Sequence, residues 1–423
     1  MTMLGKTLAE KILGSHTEQK DVAAGDIVVA KVDFLMVNEA LTRIIPILED
    51  MGVEKVWDPE RILVVNDHWA PAADTRSAEM HIKSRRFVKD HGITHFCDVN
   101  CGIAHQVLPE MGLVKPGDLI VGSDSHTTTY GAFNAFSTGF ASTDSALIAA
   151  TGENWFRVPQ SIRIDVQGQI PDMVMSKDLI LRIIENLGSD GANYQSIEIH
   201  GPVIDAMSVG SRMTMCNMGV EAGAKCTLMT VNETVRNWMK TRASDVRWAP
   251  VEPDQDAEYV DQITLDLKKD PLEPMVATPH SPNNGRPISE VEGTPIDQAF
   301  IGSCTNGRLE DLAIAAKIVD GKKVNRDTRF IITPASTEVY MEAVKTGVVE
   351  TLIKAGAVVT NSTCGACIGG GLGVLGPNEV CVSSTNRNFR GRMGHPDSLV
   401  YLASPATVAA SALTATISDP RSV

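Results

Sequence analysis

Two cysteines in CxxC spacing lie in Asn361-Ser362-Thr363-Cys364-Gly365-Ala366-Cys367-Ile368-Gly369-Gly370-Gly371, which follows the apolar run Ala357-Val358-Val359. A third cysteine lies in Phe300-Ile301-Gly302-Ser303-Cys304-Thr305-Asn306-Gly307, where strand-forming residues again give way to a small polar loop. Apolar runs that break into glycine-rich polar loops are typical of strand ends in α/β proteins. The sequence therefore predicts three thiolate ligands at the ends of two strands: Cys304, Cys364 and Cys367.

Three thiolates can hold three irons of a cubane iron–sulfur cluster and leave the fourth iron without a protein ligand. Such an iron can act as a Lewis acid on a substrate oxygen. Two alternatives stay open, because Cys364 and Cys367 could also form a redox dithiol or half of a zinc site. A redox CxxC normally lies at a helix N-terminus and a zinc site needs four ligands, so the sequence favours the cluster.

The composition indicates an ordinary globular chain of 423 residues, long enough for two to four domains. The net charge of −14 argues against general binding to a phosphate backbone, so no nucleic-acid partner is expected. Eight cysteines spread over this length do not indicate a disulfide framework. Neither a signal peptide nor a membrane span is expected, which predicts a reducing, cytoplasmic location.

Residues 1–160 are predicted to form a first α/β domain. Strand-like segments at 27–34, 61–65, 92–96 and 118–122 alternate with helix-like segments. Alternation of this kind predicts a mostly parallel sheet covered by helices, whose ligands gather outside the carboxyl ends of the strands.

Acid and histidine residues follow these strands, in Asp67-His68, at His105 and in Asp124-Ser125-His126. A neighbouring acid can fix the tautomer of an imidazole or stabilise its charged form, as acid–base catalysis requires. Several such groups at one sheet edge predict a functional site. A competing interpretation is a zinc site at Cys97, Cys101 and His105, whose spacing is helical, although Gly102 argues against a continuous helix.

Residues 161–285 are predicted to form a second α/β domain, and residues 286–423 a third that carries the cluster cysteines. In the second domain, Asn217 and Glu221 lie one helical turn apart and are a possible functional pair. The acidic, proline-rich residues 244–285 are predicted to be a linker or surface loop.

The motifs Gly302–Asn306, Cys364–Gly369 and Ser384–Arg392 together resemble the aconitase superfamily. Within it, the chain looks like the large subunit of the two-chain enzymes: isopropylmalate dehydratase, homoaconitase, and relatives that act on methylated malates. The resemblance covers essentially the whole chain. It implies an α/β fold of three α/β/α units, aconitase domains 1–3, around a central iron–sulfur cluster.

The resemblance also implies the roles of individual residues. Cys304, Cys364 and Cys367 would bind a [4Fe-4S] cluster with one iron not ligated by protein, and Asn386 would support that cluster. Three catalytic acid–histidine pairs are implied: Asp67 with His68, Asp124 with His105, and Glu221 with His126. The implied substrate-binding residues are Asn38, Ser125, Asn217, Arg387 and Arg392.

The swivelling fourth domain of this superfamily is absent from the chain, so the resemblance implies a separate small subunit that carries it. The expected assembly is a hetero-oligomer that acts on a small hydroxy di- or tricarboxylate. The expected reaction is the reversible dehydration of a 2-hydroxy acid, with 3-isopropylmalate dehydratase activity favoured. Homoaconitase and a dimethylmalate or citramalate dehydratase are alternatives. Two alternatives outside the enzyme class are a non-enzymatic iron–sulfur sensor that binds RNA and a structural zinc protein.

The sequence departs from the usual family pattern in three places. Asn38-Glu39 replaces a His-Glu or His-Asp pair, and Asn38 can form hydrogen bonds but cannot titrate. Asn134 stands where glycine is usual, and the Gly139-Phe140-Ala141 stretch has Ala141 in place of a second glycine. These departures leave the identity of the substrate open.

Overall fold

A computed structural model describes residues 5–243 and 248–423 of the chain. Within these ranges, three helix-covered sheets and a two-stranded ribbon follow one another along the sequence. The mixed α/β architecture predicted from the alternating pattern is confirmed. The domain limits at residues 160 and 285 stay a prediction.

The first sheet is built from residues 34–139 and is entirely parallel, in the order β4-β3-β2-β5-β6. The elements of this part of the chain are α1 (Leu8–Ser15), β1 (Ile27–Lys31), β2 (Phe34–Val37), α2 (Leu41–Asp50), β3 (Ile62–Val65), α3 (Thr75–His91), β4 (His95–Cys97), α4 (Ala104–Glu110), β5 (Leu119–Gly122), a 3₁₀ helix (Ser125–Phe133), β6 (Phe136–Gly139), α5 (Ser142–Thr151) and β7 (Glu153–Arg157).

The segment 27–34, predicted as one strand, is divided between two sheets. β1 pairs antiparallel with β7 and alternates exposed and buried residues, whereas every residue of β2 is buried in the main sheet. Between them, the Asp33 carboxylate accepts hydrogen bonds from the backbone N–H of Leu119 and from His16. An apolar run cannot reveal such a break, because both strands satisfy the same pattern.

The second sheet is parallel, in the order β10-β9-β8-β11. Its elements are β8 (Ser161–Gln167), α6 (Ser176–Leu187), β9 (Ser196–His200), α7 (Pro202–Asp205), α8 (Val209–Met218), a 3₁₀ helix (Gly219–Ala222), β10 (Cys226–Leu228), α9 (Glu233–Arg242) and β11 (Asp261–Asp266). Glycine ends α6 at Gly188 and the 3₁₀ helix at Gly223, both with positive φ.

The third sheet has the order β13-β12-β18-β17-β14-β15-β16, with a parallel core and antiparallel strands β12 and β13 at one edge. Its elements are β12 (Met275–Ala277), β13 (Gly285–Pro287), a 3₁₀ helix (Ile288–Glu290), β14 (Gln298–Ile301), α10 (Leu309–Val319), β15 (Arg329–Ile332), α11 (Thr337–Lys345), α12 (Val348–Ala355), β16 (Val358–Val359), a 3₁₀ helix (Gly365–Ile368), β17 (Val380–Ser383), β18 (Leu399–Ala403) and α13 (Pro405–Thr414).

The interpretation of residues 244–285 as a linker or surface loop was wrong at β11 and β12. β11 completes the second sheet and β12 joins the third. The exposed residues of β11 are Asp261, Gln262 and Thr264, a polar composition that suits an edge strand. Residues 244–247 lie outside the described residues.

Helices in the described ranges are all too short or too polar to cross a lipid bilayer. The apolar side chains form three large buried clusters, one shared by all three units, one under the first sheet and one under the third. These cores fix the strand ends from which the site residues project.

Candidate active site

Three cysteines from the third sheet lie together in a small buried cluster of their own. Cys304 follows β14, whereas Cys364 and Cys367 lie in the loop after β16. They pack with Ile103 and Ala335, and their side chains are 6%, 5% and 4% exposed. The structure therefore brings together the three thiols that the sequence predicts as ligands.

The distances between the sulfur atoms help to distinguish a single zinc ion from an iron–sulfur cluster. A single zinc ion with bonds of about 2.3 Å holds its sulfur ligands about 4 Å apart. Among the described residues, the one group of three or more ligand atoms that lie within 4.8 Å of one another is Asp67, His68 and Cys364. At least one pair of the three cysteine sulfurs is thus more than 4.8 Å apart, which is wider than a single zinc ion requires. A cube whose irons each take one thiolate fits the wider arrangement.

Burial shapes the chemistry of these thiols. It raises the pKa of Cys304 to about 12 and places the pKa of Cys364 well above its ordinary value. Cluster iron binds thiolate, so binding would displace protons from these side chains. Soft sulfur donors in a dry pocket are the ligands that iron–sulfur clusters take. The residues present therefore fit the cluster that the sequence implies.

Amide and guanidinium groups surround the sulfur atoms. Asn217 and Asn386 each direct Nδ2 at Cys304 Sγ from 3.2 Å. The Cys367 thiol donates to Asn386 Oδ1 at 3.5 Å, and Arg392 Nη2 lies 3.9 Å from Cys367 Sγ. Donors of this kind orient cluster ligands and stabilise their negative charge.

The competing zinc interpretation at Cys97, Cys101 and His105 was wrong. Cys97 ends β4, Cys101 lies in the following loop, and α4 begins only at Ala104. The three side chains are therefore not on one helical face. They also form no compact ligand group within the described part of the chain.

His68 lies between carboxylates at the end of β3. Its Nδ1 is 2.6 Å from Asp67 Oδ1 and 3.6 Å from Glu39 Oε2, and its Nε2 is 3.6 Å from Asp124 Oδ2. Burial opposes the charged imidazole, but the negative charges of Asp67 and Glu39 outweigh it and hold the pKa of His68 well above its ordinary value. These neighbours favour the imidazolium form of His68, which can donate a proton.

Asp124 is shared by two histidines. Its Oδ1 lies 3.0 Å from His105 Nε2 and accepts the backbone N–H of His126 at 2.8 Å. Burial favours the neutral carboxyl, yet the hydrogen bonds with His105 and His126 outweigh it and hold the pKa of Asp124 well below its usual range. The other ring nitrogen of His105, Nδ1, lies 3.3 Å from Tyr130 Oη. The carboxylate form of Asp124 is therefore favoured, and it orients the His105 ring and holds the backbone of His126.

Glu221 connects the third histidine to an arginine. Its Oε1 lies 2.8 Å from His126 Nε2 and accepts a hydrogen bond from Arg387 Nε at 2.7 Å. Burial opposes ionisation, but His126 and Arg387 outweigh it and lower the pKa of Glu221. The helical turn predicted between Asn217 and Glu221 is in fact the junction of α8 with a 3₁₀ helix. Asn217 consequently reaches the cysteines while Glu221 faces the histidine.

Two arginines follow β17 and face the same cleft. Arg387 Nη1 donates to Ser125 Oγ at 3.0 Å. The Nε of Arg392 is buried and has no hydrogen-bond partner among the described residues. Planar guanidinium groups bind carboxylates through paired hydrogen bonds. This arrangement suits an anionic ligand beside the cysteines.

Seven of the predicted site residues line one open cleft of about 750 Å³. Its walls include Asn38, Glu39, His68, Ser123, Asp124, Ser125, His126, Ile368, Arg387 and Arg392. A cavity of similar volume, about 760 Å³, lies against His16, Asp33 and Arg61 and includes none of the predicted site residues. The chemistry is concentrated in the first cleft.

The departures from the family pattern have local explanations. Asn38 accepts a hydrogen bond from Ser123 Oγ at 3.1 Å and lies 3.5 Å from Asp124 Oδ2, so it supports the anion that orients the histidines. Asn134 ends the 3₁₀ helix with φ of 67°, a left-handed conformation that asparagine tolerates better than other residues with a side chain. Ala141 precedes α5 in an extended conformation and needs no glycine.

Sequence reasoning missed two charged residues at the site. Glu39 is 1% exposed, and its Oε1 accepts the backbone N–H groups of His68 and Trp69. Arg308 is buried and donates to the carbonyl oxygens of Cys304 and Thr305. Glu39 did carry a signal, since it comes after a buried strand as the predicted acids do.

The fold and the cleft together define a class of protein. The chain belongs to the aconitase family (aconitate hydratase), whose family model matches residues 10–293 and 289–415. The prediction of this family, and with it of a hydro-lyase, is confirmed. In fold, the chain is similar to a solved structure of aconitase X from Thermococcus kodakaraensis, with TM-score 0.49 and 13% identity over 85% of this chain and 84% of that one.

Within this family, the chain is similar in sequence to large subunits of two-chain enzymes. The chain is 52% identical to the 3-isopropylmalate dehydratase large subunit 1 of Methanopyrus kandleri, covering 99% of both chains. It is 48% identical to the 3-isopropylmalate dehydratase large subunit of Aquifex aeolicus, covering 99% of this chain and 98% of that one. It is 46% identical to a probable methanogen homoaconitase large subunit of Methanothermobacter thermautotrophicus, with the same coverage.

Proposed function

We propose that this chain is the large, cluster-binding subunit of 3-isopropylmalate dehydratase, which interconverts 2-isopropylmalate and 3-isopropylmalate. One observation carries the proposal: three buried thiols adjoin three acid–histidine pairs and two arginines, and His68, Asp124, His126 and both arginines line a single cleft. Relatives with the corresponding name match the chain over nearly its full length.

Cys304, Cys364 and Cys367 would hold the [4Fe-4S] cluster, leaving one iron without a protein ligand. Such an iron supplies Lewis-acid chemistry at a substrate hydroxyl and carboxylate. Asn217 and Asn386 keep Cys304 oriented through their amide N–H groups. The cysteines thus serve as fixed ligands rather than as redox partners.

His68 would act as the proton donor to the departing hydroxyl group. Its imidazolium form is stabilised by Asp67 and Glu39, and its Nε2 faces Asp124 across the cleft. A hydroxyl group leaves readily only when a proton reaches its oxygen. His105 and His126, oriented by Asp124 and Glu221, would complete the proton network.

Arg387 and Arg392 would bind substrate carboxylates, with Ser125 and Asn38 beside them. Removal of a proton from carbon next to a carboxylate builds negative charge on that group, and paired guanidinium hydrogen bonds stabilise it. The orphaned Nε of Arg392 is a donor suited to this purpose. Glu221 keeps Arg387 aimed at the cleft until substrate binds.

A separate small subunit would carry the swivelling domain and cover the cleft. In the superfamily that the sequence resembles, the swivelling domain supplies the base that takes the carbon-bound proton, so this base would come from the partner. The assembly would act in the cytoplasm as a hetero-oligomer without nucleic acid, in keeping with the net charge of −14.

Turnover of a panel of hydroxy acids tests the proposal. The two-chain enzyme, reconstituted anaerobically with iron and sulfide, should dehydrate 2- and 3-isopropylmalate faster than homocitrate, citramalate or 2,3-dimethylmalate. Preference for homocitrate would instead support a homoaconitase, a second candidate favoured by the 46% identity to a protein of that name. Absence of turnover, with salt-sensitive RNA binding by the cluster-free chain, would support the sensor alternative.

A further inference from the structure

Lys177 is a fully buried lysine at the start of α6 that the proposed chemistry does not use. Its side chain is 0% exposed. Its Nζ donates to the carbonyl oxygens of Ser384 at 3.0 Å and Thr385 at 2.5 Å. Among the described residues it has no carboxylate within 4.0 Å. A buried lysine that is not paired with an acid is uncommon in proteins.

The position is unfavourable for a cation in two ways. Lys177 lies in the first turn of α6, where the helix dipole disfavours positive charge. Burial also lowers the pKa of Lys177 to about 7, since the charged form is poorly solvated there. An apolar side chain would avoid both penalties, so stability alone does not explain the lysine.

The two carbonyl groups belong to the turn that carries site residues. Ser384 and Thr385 immediately precede Asn386 and Arg387. Ser384 Oγ also accepts the backbone N–H of Gly302 at 3.1 Å, two residues before Cys304. The ammonium group therefore holds the segment from which Asn386 reaches Cys304 and Arg387 reaches Ser125 and Glu221.

We propose that Lys177 is a positioning residue, which orients the turn 384–387 so that Asn386 faces Cys304 and Arg387 faces the substrate carboxylate. The inference rests on the proposed function, because it assigns the purpose of the turn to cluster and substrate binding. Arginine could not replace the lysine easily, since its planar fork is larger than the compact ammonium group.

A purely structural role would predict something different. The adjacent Asp178 already ties α6 to the third sheet, because it accepts the backbone N–H of Met275 at 2.8 Å. Its other oxygen accepts the N–H of Met175 at 2.7 Å and caps the helix. If Lys177 only joined the same elements, its loss would lower thermal stability without a specific change in KM or in cluster lifetime.

The test compares variants of the two-chain enzyme. Lys177→Met removes the ammonium group in a similar volume, and Lys177→Gln keeps a hydrogen-bond donor. Lys225→Met is the control, because Lys225 is a partly buried lysine whose Nζ lies 3.9 Å from the centre of the Phe140 ring and whose pKa burial lowers to about 8. Each is measured for kcat, KM, thermal unfolding and oxygen-driven loss of cluster absorbance.

Lys177→Met should lower kcat/KM by about 10- to 100-fold, mainly through a higher KM, since small displacements of a substrate-binding group have effects of this size. Its cluster absorbance should also decay faster in oxygen, and Lys177→Gln should lie between it and the wild type. If Lys177→Met does not fold, Lys177→Gln carries the comparison. The inference would be overturned if Lys177→Met, or Lys177→Gln where Lys177→Met does not fold, had the same KM and cluster lifetime as Lys225→Met. An inactive wild type would instead refute the proposed function.

Discussion

His68 shows how neighbouring charges set the chemistry of a single side chain. Two carboxylates approach its Nδ1 edge, and together they keep the imidazolium stable despite burial. A proton donor of this kind works at pH values below its own pKa. A raised pKa therefore extends its working range upward, and the donor form is lost as the pH rises through that value.

Glu39→Gln should move the alkaline limb of the kcat/KM profile to lower pH. Glutamine keeps the acceptor for the backbone N–H groups of His68 and Trp69 but removes a negative charge 3.6 Å from His68 Nδ1. A shift of about one pH unit is expected from the loss of such a charge. The pH dependence of kcat/KM of the two-chain enzyme measures it.

The control for this prediction is Glu110→Gln. Glu110 is also a largely buried carboxylate, and it accepts hydrogen bonds from Gln106 and Ser336 rather than from His68. Its variant should leave the alkaline limb in place. A profile of Glu39→Gln that coincides with that of Glu110→Gln would show that Glu39 does not tune His68.

At the residue scale, the sequence predicts the polar groups at strand ends better than the groups that support them. Asp67, His68 and Asp124 were predicted because polar residues stand out after buried strands. Lys177 donates to a backbone carbonyl group of Ser384, and Arg308 donates to the side chain of Gln106, so both reach distant segments only in the folded chain. No local pattern marks such contacts, so the sequence alone does not reveal them.

The turn after the Ser125–Phe133 3₁₀ helix illustrates the scale of single elements. Asn134 adopts φ of 67°, donates to Met229 O at 3.1 Å and accepts the backbone N–H of Val251 at 2.7 Å. Its side chain thereby joins the first sheet unit to the second. The residue replaces a glycine of the usual pattern and adds two hydrogen bonds.

Asn134→Ala should lower the free energy of unfolding by about 2–4 kcal/mol. Alanine is strained in the left-handed conformation, and two buried hydrogen bonds of the asparagine side chain are lost. Asn134→Gly should lower it by only about 1–2 kcal/mol, because glycine relieves the backbone strain. Denaturant unfolding of both variants measures the difference. Equal loss in the two variants would mean that conformation at this position contributes nothing.

Element boundaries also show where prediction from sequence fails. The segment 27–34 is largely apolar, and only pairing partners separate β1 from β2. β11 exposes polar residues because it lies at a sheet edge, and the acidic, proline-rich composition around it suggested a linker. The hydrophobic periodicity of a sequence indicates which residues of a strand are buried but not which strands it pairs with. Edge strands and divided strands therefore cannot be predicted from it.

At the scale of the whole molecule, the site is assembled from all three sheets. Cys304 comes from the third sheet, Asp67 from the first, and Glu221 from the unit built on the second. The sequence predicts each set of strand ends separately. It does not specify that the ends face one another, because that depends on how the three cores pack.

The chain without its small subunit should bind the cluster and yet lack turnover. All proposed cluster ligands lie in this chain, whereas the proposed base does not. Adding the purified small subunit to the anaerobic large subunit should restore dehydration of isopropylmalate without changing the iron content. Full turnover by the isolated chain would contradict the proposed division of labour.

The central claim is that Cys304, Cys364 and Cys367 share one cluster, and iron and sulfide content tests it most directly. The anaerobically reconstituted chain should hold about four irons and four sulfides. Cys304→Ser and Cys364→Ser should each lose the cluster absorbance and the activity together. Cys226→Ser, at a buried cysteine that bonds to Ser196 in the second sheet, should keep both. Retention of a full cluster and activity in Cys304→Ser would contradict the account.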